Sequence, residues 1–276
     1  MKVSVGQFSP SGDVAENLDV MRSLAAKARA DGAELIIFPE ESMFSIGSVS
    51  GSLAEAVQAQ WSTFVQQLSL LAAGLEIAVV AGGYEASDEE RPFNTLVIID
   101  ATGRIVETYR KLHLYDAFSY SESTRIKPGD GGVKVARIGD LSVGVMTCYD
   151  IRFPELARAL ADQGADLLAV PAAWFKGDHK IEHWETLLAA RAIENTVWVA
   201  AAGTSSRHTV GHSAVLDPMG ITQVALEDEP EGVVTVEVTR RRIDEVREFL
   251  PVLENRRFAP NEEIIAAKAG AAGGEK

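Results

Sequence analysis

Leu141-Ser142-Val143-Gly144-Val145-Met146-Thr147-Cys148-Tyr149-Asp150-Ile151-Arg152-Phe153-Pro154-Glu155 changes structure along its length. The apolar, β-branched run Leu141–Met146 reads as a strand, and Glu155–Gln163 reads as a helix. Cys148 therefore falls where a strand ends and a turn leads into a helix, a place that often exposes a nucleophile. The same alternation on both sides of this stretch points to an α/β protein.

Towards the N-terminus, strands are expected at Val3–Phe8, Leu35–Phe38, Ile77–Ala81, Thr95–Ile99 and Ile105–Tyr109, with helices over Leu18–Ala30 and Ala54–Ala73. Ala101-Thr102-Gly103 reads as a hairpin-like turn. Val133–Ile138 precedes Leu141 across the turn Gly139-Asp140, and a buried strand Leu167–Val170 should end at Pro171. Gly177-Asp178, with Asp178 as N-cap, should start a helix over Ile181–Glu194. Strands follow at Val197–Ala202, Ser213–Leu216, Thr222–Ala225 and Val233–Val238, with the turn Asp217-Pro218-Met219-Gly220. Two sheets covered by helices would bury so many apolar strands. With no repeat or linker, residues 1–265 are expected to form one domain, and 266–276 a frayed tail.

A net charge of -14 disfavours nucleic acid and anionic lipid as partners. Arg240-Arg241-Arg242, followed by Asp244, Glu245 and Glu248, reads as a solvated helix face. One cysteine, no apolar leader and no apolar stretch of spanning length suggest a cytoplasmic protein without a membrane segment.

Glu40 stands just beyond the strand in Ile36-Ile37-Phe38-Pro39-Glu40, the sheet edge where ligands of open α/β folds bind. Lys111 lies in Tyr109-Arg110-Lys111-Leu112-His113-Leu114. Alone, Glu40 or Lys111 reads as a loop charge, with Glu41 an example of how cheap such residues are, and Cys148 as an inert small hydrophobe. Together, Phe38-Pro39-Glu40, Arg110-Lys111-Leu112-His113-Leu114 and Cys148-Tyr149-Asp150-Ile151-Arg152-Phe153-Pro154-Glu155 resemble the nitrilase superfamily. The resemblance continues through His183-Trp184-Glu185, Arg191-Ala192-Ile193-Glu194-Asn195 and Gly211-His212-Ser213.

That resemblance implies a four-layer α-β-β-α sandwich, a homodimer or higher homo-oligomer, and a catalytic set of Glu40, Lys111 and Cys148 with no cofactor. Glu122 falls at the position of a second glutamate, although Ala117-Phe118-Ser119-Tyr120 before it departs from the glycine-containing form of the family. Glu40 would take the thiol proton, Cys148 would attack a carbonyl carbon, and Lys111 with the Tyr149 N–H would hold the oxyanion. Glu122 would orient substrate or water. The omega-amidase and deaminated-glutathione amidase branch looks nearest, which implies a small, carboxylate-bearing amide as substrate. Trp174 and Phe175 are candidate cavity walls. Lys176 and Arg152 are candidate cations, with Arg152 the better fit to a structural bridge with Asp150 or Glu155.

Three other readings compete. His179-Lys180-Ile181-Glu182-His183 spells H-x-x-E-H, a zinc pattern when both histidines share a helical face. The fold could also serve as a binding module without chemistry. The same three residues would equally suit an N-carbamoyl amino acid or a nitrile.

Overall fold

The computed structural model describes residues 1–258; the tail expected at 266–276 lies outside them. The first half runs β1 (Lys2–Gln7), α1 (Val14–Ala30), β2 (Leu35–Ile37), α2 (Leu53–Leu75), β3 (Ala78–Glu85), β4 (Phe93–Ile99) and β5 (Ile105–Arg110). A small hairpin, β6 (Asp116–Ala117) and β7 (Tyr120–Ser121), leads into β8 (Val135–Ile138), β9 (Leu141–Val145), α3 (Pro154–Asp162) and β10 (Leu167–Ala172). The chain closes with α4 (Lys180–Asn195), β11 (Trp198–Gly203), β12 (Ala214–Leu216), β13 (Thr222–Ala225), β14 (Gly232–Glu237) and α5 (Arg240–Phe249).

Two six-stranded sheets result, in the orders β14-β1-β2-β3-β4-β5 and β13-β12-β11-β10-β9-β8. The central strands of each, β1-β2-β3 and β9-β10-β11, are parallel, and their neighbours are antiparallel. Strand periodicity divides the core between two faces. Leu35, Ile37, Ala78 and Val80 join the apolar cluster shared with the second sheet, whereas Ile36, Phe38, Val79 and Ala81 pack under α1 and α2 with Met21, Leu24, Phe64 and Leu68. Because α3 and α4 cover the other sheet, the layers run α-β-β-α, and strands buried on both faces carry no polar alternation.

Gln7 and Ser213 tie the two sheets together. The Ser213 hydroxyl donates to Gln7 Oε1 at 2.7 Å, and the Gly203 N–H donates to Ser213 Oγ at 2.9 Å. Trp184, fully buried on α4, donates to the His212 carbonyl at 2.9 Å, so two of the motif segments hold the layers in place.

Two local expectations are corrected, and a third segment is given its geometry. β10 runs through Pro171 to Ala172, because β9 pairs with it only as far as Ala169 and asks no N–H of the proline on that side. The cap of α4 is His179 in the left-handed conformation (φ 57°), not Asp178. The Ala117–Tyr120 segment makes a tight turn with Phe118 and Ser119 at φ 52° and 64°, so two non-glycine residues occupy the conformation that favours glycine.

β3 carries a tight constraint at Gly82: a Cβ there would lie 2.1 Å from the Glu40 carbonyl oxygen, which is backbone and cannot swing away. Gly82→Ala should lower the urea midpoint by the equivalent of about 1–3 kcal/mol or more with an unchanged m value. Gly74→Ala, in α2 with nothing within 4 Å of the added carbon, should instead stabilise by about 0.5–1 kcal/mol.

Candidate active site

The loops at one end of the sheets bring four side chains together. Glu40 follows β2, Lys111 follows β5, Glu122 opens a 3-10 turn after β7, and Cys148 follows β9. Lys111 Nζ donates to Glu40 Oε1 at 2.8 Å and to Glu122 Oε2 at 2.9 Å, with all three side chains almost completely buried. The Asn94 amide spans the two carboxylates, reaching Glu40 Oε1 at 2.7 Å and Glu122 Oε1 at 3.3 Å. Backbone donors complete the set: Ala173 N–H to Glu40 Oε2 at 2.8 Å and Tyr115 N–H to Glu122 Oε2 at 2.7 Å.

Cys148 has φ 47°, a left-handed conformation that costs a non-glycine residue energy and is kept only where its surroundings impose it. Asp150 imposes it. Its carboxylate accepts from the Thr147 N–H at 2.9 Å, the Tyr109 hydroxyl at 2.7 Å and the His113 N–H at 3.0 Å, so one fully buried side chain joins the cysteine turn to the loop carrying Lys111. From α4, Arg191 donates to the Ile151 carbonyl through Nε and Nη2 at 2.9 and 2.6 Å.

Burial raises the Cys148 thiol well above its usual pKa and Glu40 adds to the rise, against the pull of Lys111, so the resting thiol keeps its proton. Burial disfavours the Lys111 charge, yet Glu122 and Glu40 outweigh it and hold the ammonium well above the ordinary lysine range. A protonated thiol, a carboxylate that accepts hydrogen bonds and a fixed ammonium lining one cavity are the groups that a nucleophile, a proton acceptor and an oxyanion donor would require.

The cavity is lined by Glu40, Lys111, Glu122 and Cys148, together with Trp174 and Phe175. Tyr149 packs its ring edge-on against Tyr115 and Phe153 at 5.1 and 5.4 Å, and its N–H belongs to the opening of a 3-10 turn, where no intraturn partner exists. Lys176 is exposed and does not line the cavity; the second lysine that does, beside Lys111, is Lys180, one residue beyond the helix cap. Arg152 bridges neither Asp150, whose oxygens are engaged elsewhere, nor Glu155; it lies over Trp174 and beside His183 Nδ1 at 3.4 Å.

Glu41, a cheap loop charge by sequence alone, lines the cavity and accepts from the Tyr84 hydroxyl at 2.8 Å. Asn94, Tyr84 and Tyr115 carry no motif in the sequence, and only tertiary packing brings them to the site. The two histidines of the H-x-x-E-H spelling do not share a helical face, because His179 lies outside the helix in the left-handed conformation. Among the described residues no three His, Cys, Asp or Glu side chains group as metal donors.

Residues 2–248 match the model of the carbon-nitrogen hydrolase family. The chain is 38% identical over 260 residues to a deaminated glutathione amidase of Escherichia coli O157:H7, covering 94% of this chain and 98% of that one. It is 34% identical over 266 residues to a deaminated glutathione amidase of Synechocystis sp., covering 91% and 96%. Among solved structures, an amidase from Nesterenkonia sp. AN1 matches with a TM-score of 0.78 at 28% identity, over 93% of this chain and 94% of that one. In that structure the acetamide moiety of fluoroacetamide is covalently added at the active-site cysteine.

Burial, with Glu40's charge adding and the Tyr84 bond opposing, pushes the Glu41 carboxyl up to about 7. A carboxyl raised in the folded state contributes stability that is fully present below its unfolded value of about 4.5 and is lost as pH rises through 7. Glu41→Gln, which does not titrate, should therefore gain Tm relative to the parent at pH 8 more than at pH 5. An equal Tm difference at the two pH values would show that Glu41 ionises normally.

Proposed function

The chain belongs to the carbon-nitrogen hydrolase family, amidases of the nitrilase superfamily, and on that basis we propose that it cleaves a small, carboxylate-bearing amide through a thioester on Cys148. The observation that carries this reading is the convergence of Cys148, Glu40 and Lys111 in one cavity, with Lys111 buried and ion-paired. The acidic nature of the substrate is carried over from relatives named for deaminated glutathione, a peptide-derived carboxylic acid.

Since the resting thiol is protonated, attack and deprotonation are coupled: as Sγ bonds to the carbonyl carbon, the thiol proton passes to Glu40. The carbonyl oxygen takes up the negative charge and is stabilised by Lys111 and the Tyr149 N–H. Collapse breaks the C–N bond, Glu40 returns its proton to the nitrogen, and ammonia leaves. Water then adds to the thioester while Glu40 takes one of its protons; the C–S bond breaks, the thiol is reprotonated and the acid departs. The Glu122 oxygens are already engaged with Lys111, Asn94 and the Tyr115 N–H, which favours Glu122 as the residue that positions Lys111 rather than one that orients water.

Two measurements test this. Ammonia release from aliphatic amides, omega-amides of dicarboxylic acids, N-carbamoyl amino acids and nitriles should be greatest for the omega-amides and absent in Cys148→Ala; a preference for carbamoyl compounds or nitriles would change the substrate class while keeping the nucleophile. Lys111→Ala should reduce kcat by a factor of about 10²–10³. Lys111→Arg should also fail, because a planar guanidinium does not fit between two carboxylates spaced for a compact ammonium. Full activity of folded Lys111→Arg would remove the lysine from the mechanism.

A further inference from the structure

Lys180 is an acid-seeking group that the chemistry above does not use. It is 5% exposed, and it lines the same cavity as Cys148. Its Nζ donates to the Tyr115 hydroxyl at 3.1 Å, and the rings of Tyr115, Phe118 and Trp174 surround it at 5.0, 4.4 and 5.0 Å. An ammonium has three donors, and among the described residues no carboxylate pairs with this one. A buried cation without a counter-ion is costly, and in a protein with a net charge of -14 an acidic partner would have been easy to supply.

The neighbours reinforce the case. Arg152 lies over the same Trp174 ring at 4.7 Å, and its Nε is buried without a partner. The cavity's own carboxylates are engaged elsewhere, Glu40 and Glu122 by Lys111 and Glu41 by Tyr84. The strained turn of the β6–β7 hairpin brings Phe118 against Lys180 while leaving that ring 68% exposed, so the strain serves the wall around this lysine. Nothing in the sequence pattern singles out Lys180, which is the middle residue of an unrelated-looking Asp-His-Lys-Ile-Glu run.

We propose that Lys180, with the Tyr115 hydroxyl beside it, receives the distal carboxylate of the substrate's acyl chain and is the specificity-determining residue for acidic amides; this rests on the amidase reading above. The substrate class is then the monoamide of a short dicarboxylic acid, its amide at Cys148 and its free carboxylate at Lys180. The ion pair would form only on binding, where a charge-assisted contact discriminates by about 10- to 100-fold.

The test compares succinamate with its neutral counterpart butyramide in the parent and in Lys180→Met, a side chain of similar length that suits an aromatic surround. The ratio of kcat/KM for succinamate over butyramide should fall about 10- to 100-fold, mainly through KM, and Lys180→Arg should restore part of it. In parallel, succinate should raise the Tm of the parent and not that of Lys180→Met. An unchanged ratio, or equal stabilisation of both proteins by succinate, overturns the proposal. If the parent hydrolyses neither amide yet succinate stabilises it through Lys180, the carboxylate site stands and the amidase reading falls. If neither hydrolysis nor binding occurs, both fall.

Discussion

The Lys111 ammonium, removed from water and held between the carboxylates of Glu40 and Glu122, is the interaction on which the rest of the site depends. Stripping water from three charges costs several kcal/mol each, and the pairing offsets that only when geometry and extra hydrogen bonds are good. Asn94 and the N–H groups of Ala173 and Tyr115 supply those bonds from three separate segments. Close backbone packing sets the positions: Gly82 lets β3 pass the Glu40 carbonyl, and Gly129, where a Cβ would sit 2.3 Å from the Arg110 carbonyl, lets its segment lie against the approach to Lys111. Loss of one partner would leave an uncompensated buried charge, at a cost of about 3–5 kcal/mol.

The same burial determines the state of the Cys148 thiol. Low polarity raises the thiol, Glu40 raises it further, and the Lys111 charge is largely neutralised by its carboxylates, so no standing thiolate forms. That arrangement suits a site in which the charge appears only when substrate supplies the carbonyl. Asp150 makes it mechanically coherent, because the side chain that fixes the strained cysteine turn also fixes the loop behind Lys111.

The sheets and long helices are legible because the central strands are apolar on both faces and the helices keep a regular stripe; the observed elements differ from expectation mostly by a few residues at their ends. The strand through Pro171 was not, since whether a missing N–H matters depends on where the neighbouring strand stops. Glu40, Lys111, Glu122 and Cys148 were nominated by their motifs, and the structure brings the four together. Glu41 and Lys180 were hidden for the opposite reason: each sits next to a residue that drew attention, and only the direction of the side chain distinguishes a cavity wall from a solvated charge. Lys176 lies on the exposed segment before α4, its N–H donating to the His208 carbonyl at 2.8 Å, whereas Lys180 opens α4 and is buried.

The most direct test of the central claim is the intact mass of the protein after acid quenching during turnover of an omega-amide, followed by peptide mapping. Cys148 is the single cysteine, which makes assignment of a thioester unambiguous. The account predicts one acyl increment on the Cys148 peptide, removable by hydroxylamine and absent from Cys148→Ala. Turnover without an increment at any quench time, together with a Cys148→Ala variant as fast as the parent, would contradict it.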